Sequence, residues 1–127
     1  MTNIAELKEK AKVGWASFIS FEALTSTAAP KLVQFSGTRQ GMRLLDVACG
    51  TGVVALTASR LGVEVEGIDL TPELINRAIE NSKIMGLKAK FVEGDAEFLP
   101  YRENDFDIIL SQYGHMFAPR PSIVVKE

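Results

Sequence analysis

The stretch Leu44-Leu45-Asp46-Val47-Ala48-Cys49-Gly50-Thr51-Gly52 decides how the rest of the chain is read. Arg43 to Ala48 is a short apolar run holding a single acid, the pattern of a strand buried on both faces. Gly50 and Gly52 then permit a tight turn that a ligand can approach closely. From Val53 to Leu61 the pattern turns helical, and it stops at Gly62, a natural C-terminal cap. The helix points its free N–H groups and positive dipole end at whatever occupies the turn, either a pyrophosphate or the carboxylate of a methionine-like group.

Downstream, Val63 to Ile68 is β-branched and strand-like, and it is closed by Asp69. Thr71-Pro72-Glu73 is a helix start, with Thr71 as cap, Pro72 in the first turn and Glu73 at the positive dipole end. That helix carries Leu74, Ile75, Ala78, Ile79 and Met85 and runs to Gly86. Ala89 to Val92 makes a third strand and Phe106 to Leu110 a fourth. This alternation implies an α/β, Rossmann-like, doubly wound parallel sheet whose ligand crevice lies at the carboxyl ends of its strands.

Upstream, Asn3 with Glu6 opens a helix marked by Ile4, Leu7 and Ala11. A second helical stretch, Trp15 to Leu24, is rich in aromatics, and a third runs from near Pro30 to Gly37. Residues 1–40 therefore read as a helical annex, a lid for cofactor or acceptor, and residues 41–127 as part of a cofactor-binding domain.

A length of 127 residues fits one domain, and 46% hydrophobic residues argue for a folded core. With 14 Lys+Arg against 16 Asp+Glu the formal net charge is -2, and no clustered basic surface suggests nucleic acid as a partner. Lys8-Glu9-Lys10-Ala11-Lys12 reads as a solvated helix face. There is no signal-peptide pattern and no apolar run long enough to span a bilayer. Cys49 is the only cysteine and His115 the only histidine, which leaves no disulfide and no metal-ligand cluster. The expectation is a cytoplasmic protein with neither membrane nor nucleic-acid partner.

Asp46 discriminates between cofactors. Taken with Ala55, the turn satisfies the dinucleotide fingerprint Gly-x-Gly-x-x-Ala, which favours a nicotinamide oxidoreductase. An acid four residues before Gly50 lies where the diphosphate would sit and repels it. It suits a ligand that brings an ammonium or a sulfonium instead, and S-adenosylmethionine carries both without any phosphate. Asp69, 17 residues after Gly52, is placed to accept from ribose hydroxyls with either cofactor. Asp95 follows the third strand, where it can accept from an adenine amino group while the Ala96 N–H donates to the ring. Leu70 and Phe98 are positioned to sandwich that ring.

The chain resembles class I S-adenosylmethionine-dependent methyltransferases, and within them the ubiquinone/menaquinone-biosynthesis-type group. Four stretches carry the resemblance in order: residues 44–52, Val65 to Leu74, Gly94 to Pro100, and Asp105 to Ser111. It covers roughly residues 40–127. The resemblance implies that Asp46, Gly50 and Gly52 hold the methionine portion, Asp69 the ribose, and Asp95 with Ala96 the adenine, with Ala48 and Leu70 also among the cofactor-binding residues. Ser111 and Gln112 would face the methionine end and the transferred methyl. It also implies a sheet with the order 3-2-1-4 for its first four strands, out of seven in the family. On this reading the chain is the first part of a longer domain, and its apolar fourth strand is an edge that invites a homodimer or a strand swap.

The acceptor is then a small molecule of unspecified class. Methyl transfer is an in-line displacement in which alignment and exclusion of water do much of the work. His115 reads either as a general base or as a loop histidine on the pocket rim, and Tyr113 carries the same two readings. Trp15, Phe18 and Phe21 read either as a lid or as helix packing. A non-catalytic module that only binds the cofactor stays open as an alternative function.

Overall fold

Side chains alternate along β1 (Arg43–Val47), and that alternation builds two cores. Leu44 packs with Val54, Ala55, Ile75, Ala78 and Phe91 on one face of the sheet, whereas Leu45 and Val47 join Ile68 and Val124 on the other. Asp46 shares the face of Leu44 and is as buried as its apolar neighbours. These relations come from a computed structural model, which describes residues 3–127.

β2 (Glu64–Asp69), β3 (Ala89–Glu93) and the three-residue β4 (Ile108–Leu110) complete a parallel sheet in the order β3-β2-β1-β4. In register, Asp46 lies between Gly67 of β2 and Leu110 of β4. The fourth strand is shorter than its apolar run suggested. Phe106 leaves the ladder to pack edge-on against Tyr101 and beneath Arg43, although the Asp107 N–H still bonds the Arg43 carbonyl at 2.9 Å.

Of the helices, α1 (Ile4–Ala16) is capped by the Asn3 side chain, which accepts from the Ala5 N–H at 3.0 Å. Trp15 to Leu24 is not one helix. It divides into the end of α1, a 3-10 turn over Ser17–Phe21 and the short α2 (Glu22–Thr25). α3 (Ala29–Phe35) has Pro30 in its first turn and sends Ala29 and Val33 into the larger core. α4 (Val53–Ser59) follows the glycine turn, and α5 (Pro72–Met85) ends at Gly86 in the left-handed region.

Thr71 stands where a cap was expected, yet its side chain makes no capping bond. Thr71 does hold the N-cap position, and the Asp69 carboxylate accepts its backbone N–H at 2.9 Å, which satisfies one free donor of the helix start. A final turn, α6 (Pro121–Val124), buries Val124 on the second face. Among the described residues no helix is long and apolar enough to cross a membrane.

Candidate functional site

The carboxyl ends of β1, β2, β3 and β4 open into one cavity, roofed by the N-terminal helices. Its floor is the turn after β1, where Ala48 adopts φ 56°, Gly50 φ 54° and Gly52 φ 84°. The two glycines serve different purposes. A Cβ on Gly50 would meet open space, so the absent side chain leaves room on the cavity side. A Cβ on Gly52 would meet the Phe91 ring at 2.9 Å and Ala78 at 3.2 Å, so that glycine lets the core close beneath the turn and does not line the cavity. Phe91 of β3 supports the turn from below. Its part is invisible in sequence, because an aromatic in a strand signals only burial.

Asp46 is 1% exposed, and its Oδ2 accepts the Ala55 N–H at 3.0 Å. That N–H belongs to the first turn of α4 and is one of the donors a phosphate would have used. The dinucleotide reading therefore fails on geometry as well as charge: the protein's own carboxylate occupies the helix end. Burial pushes the Asp46 carboxyl up to about 8, opposed by the Ala55 N–H and reinforced by the nearby Asp69 charge.

Asp69 Oδ2 accepts the Gly50 N–H at 2.8 Å while Oδ1 takes Thr71, which ties the glycine turn to the end of β2. Burial raises its pKa against the pull of those N–H groups. Each oxygen has a further lone pair available for a ligand hydroxyl. Among the described residues neither Asp46 nor Asp69 has a cationic side chain within salt-bridge reach.

At the far end, Asp95 Oδ1 accepts the Glu97 N–H at 2.9 Å and Oδ2 is paired with the Lys8 ammonium. Lys8 also reaches Glu97 at 2.7 Å, and so one lysine of the supposedly solvated face turns inward and lines the cavity. Glu97 is 5% exposed and accepts three hydrogen bonds from Arg120 as well. Burial alone would raise its pKa, but Arg120 and Lys8 outweigh that and hold it down at about 2. Neither Lys8 nor Glu97 carries a sequence signal for these contacts, since the partners lie 89 residues apart.

Ala48, Leu70, Ala96, Gln112, Tyr113 and His115 also line the cavity. Gln112 donates to the Thr25 carbonyl at 2.9 Å, and its buried Oε1 has no partner. Ser111 does not reach the cavity wall; its Oγ accepts the His115 N–H at 3.1 Å and shapes the loop. Phe98 is 79% exposed and points away, so the ring sandwich with Leu70 is not formed. Trp15 and Phe18 line the cavity and also pack together at 5.2 Å, whereas Phe21 only stacks behind Phe18 at 5.0 Å. Roof and packing are thus one structure, closed on its far side by Trp15 against Phe117 at 5.1 Å.

Glu22 of α2, also in the lining, accepts from Asn81 at 2.8 Å; Asn81 in turn donates to the Thr51 carbonyl at 3.1 Å. Burial would raise the Glu22 pKa, but bonds from Asn81, Thr51 and Arg77 bring it below the ordinary value.

Residues 44–127 match the model of a family described as "Methyltransferase domain". An uncharacterized protein of Mycobacterium tuberculosis is 46% identical over 99 residues, a match covering 78% of this chain and 36% of that protein. A demethylmenaquinone methyltransferase of Staphylococcus aureus is 34% identical over 100 residues, covering 76% of this chain and 41% of the enzyme. The chain therefore spans well under half the length of these relatives. Among solved structures, a SAM dependent methyltransferase from Aquifex aeolicus superposes with a TM-score of 0.71 at 25% identity, over 78% of this chain and 55% of that one.

Proposed function

The chain belongs to the methyltransferase-domain family, in its class I S-adenosylmethionine-dependent branch, and from that premise we propose that this cavity binds S-adenosylmethionine for methyl transfer to a small-molecule acceptor. The observation that carries the reading is a buried carboxyl group, Asp46, beside a second, Asp69, with no cationic side chain in reach of either among the described residues. An isolated buried charge is costly, which is why Asp46 holds its proton in the free protein, and a cationic ligand in the cavity stabilises the charged form. When bound, the cofactor supplies a methyl group on a positively charged sulfur, already activated for displacement.

The chain's residues divide the remaining work. Asp46 and the unpartnered Oε1 of Gln112 accept from the cationic, amino-acid end, with Ala48 and Gly50 giving backbone close approach. The free lone pairs of Asp69 accept ribose hydroxyls, Leu70 gives an apolar wall, and Asp95 with the Ala96 N–H meets the adenine edge. Trp15 and Phe18 exclude water from above. Tyr113 and His115 flank the side from which an acceptor would enter, where either can take a proton if the acceptor must lose one. Tyr113 sits at φ 55°, a left-handed conformation rare for an aromatic residue and often found at functional sites.

Calorimetric titration with S-adenosylhomocysteine tests the reading, with Asp69→Ala as the partner variant. Binding by the wild type and a loss of at least about tenfold in the variant are expected, about 1.4 kcal/mol. A folded wild type that gives no heat sinks the proposal. Binding without turnover on a panel of acceptors favours the non-catalytic module instead.

A further inference from the structure

The carboxylates that line the cavity, Asp46, Asp69, Asp95 and Glu22, differ in whether a protein cation accompanies them. Asp46 and Asp69, at the carboxyl ends of β1 and β2, accept backbone N–H groups only. Asp95, beyond β3, is met by Lys8, which also holds Glu97 behind the cavity wall, where Arg120 joins it; Glu22 of α2 is met by Arg77 at 3.4 Å. Lys8 comes from α1, a helix that buries none of its residues fully and whose aromatic contact, Trp15 against Phe18 and Phe117, lies at its C-terminal end, two turns from Lys8. Its attachment at this point is ionic: Lys8 on Asp95 and Glu97, with Lys12 reaching Glu93 at 3.5 Å one turn later.

We propose that Lys8 is a cofactor-positioning residue, which latches α1 across the adenosine end of the cavity and cancels the carboxylate charge there. This rests on the cofactor reading above. The consequence is orientation. The neutral ring end of the ligand meets a neutralised wall, and the cationic end meets Asp46 and Asp69, which among the described residues have no cationic side chain beside them. Without Lys8, Asp95 presents a free negative charge to the ring end, and the helix carrying Trp15 loses its tie to the β3 loop. The low pKa of Glu97 keeps the receiving side of the latch ionised throughout the neutral range.

Adenosine is the discriminating probe, because it is neutral and reports the ring end alone. Salt cannot screen its own contacts, so any salt dependence of its binding belongs to the protein. Wild type should bind adenosine about fivefold more weakly on going from about 50 mM to about 500 mM salt. Lys8→Met, which keeps the aliphatic stem, should bind about fivefold more weakly at low salt and show no salt dependence; Lys8→Arg should restore both. Wild-type adenosine affinity that ignores salt overturns the latch whether or not the Met variant folds. So does a folded Lys8→Met variant that matches the wild type. A wild type that binds neither adenosine nor S-adenosylhomocysteine removes the cofactor reading, and the latch with it. A wild type that binds both without salt dependence removes the latch alone.

Discussion

Asp46 has been taken out of water without being given a cation, and its titration carries the consequence. The folded state holds the Asp46 proton up to about pH 8, whereas an unfolded aspartate loses it near its ordinary value of 3.8. A raised acid pKa means stability that is fully present below the unfolded pKa and lost as pH climbs through the folded one. Asp46→Asn can still accept the Ala55 N–H but never ionises. Melting temperatures of the two proteins should therefore diverge from about pH 4 to about pH 8, with the Asn variant gaining on the wild type. Parallel curves would mean that Asp46 is charged at no cost. The same variant should weaken S-adenosylmethionine more than adenosine, since only the former brings a cation. Glu97 works in the other direction. Its lowered pKa gives stability that is present above the ordinary value of 4.5 and lost as pH falls toward about 2. Glu97→Gln should cost about 2 kcal/mol at neutral pH by stripping two cations of their acceptor, and that gap should shrink in acid unfolding below about pH 4.5.

At the scale of the element, the turn between β1 and α4 shows what a motif can and cannot say. Strand, glycine turn, helix and strand-ending acid were all legible from residues 44–69, because period and turn chemistry are local properties. The division of labour between the glycines was not, since it depends on Phe91, a contact made from another strand. That difference gives a paired test. Gly52→Ala adds a Cβ 2.9 Å from Phe91 at φ 84° and should lower stability by about 2 to 3 kcal/mol in urea unfolding. Gly50→Ala has free space and should cost only about 1 kcal/mol, yet it should weaken S-adenosylhomocysteine binding by crowding the cavity floor. Equal stability losses would refute the assignment of the two faces. The N-terminal annex was readable only in part. Its helical spacing was visible, but the 3-10 turn at Ser17–Phe21 and the inward Lys8 are set by tertiary contacts that no short window contains. Thr71 occupies the expected N-cap position, but its buried hydroxyl makes no bond there, and the Asp69 bond to its N–H is a contact that helix propensity does not weigh.

For the whole molecule, the strand order β3-β2-β1-β4 leaves two edges with different chemistry. β3 carries Lys90 and Glu93, and Lys90 bonds Glu66 on its neighbour at 3.2 Å, so charge discourages a further strand there. β4 is Ile108-Ile109-Leu110, uncharged and, among the described residues, paired on one side only, to β1, with Ile109 56% exposed. An apolar free edge of this kind is a template for pairing, and the partner always available in solution is a second copy of the chain. Sedimentation velocity of the 127-residue chain should show a concentration-dependent dimer. Ile109→Lys should shift that equilibrium to monomer, because charge on an edge opposes strand addition. It should leave the melting temperature of the monomer nearly unchanged, since Ile109 contributes to neither core. A wild type that sediments as a monomer at every concentration would refute self-pairing, and a dimer untouched by Ile109→Lys would move the interface away from β4.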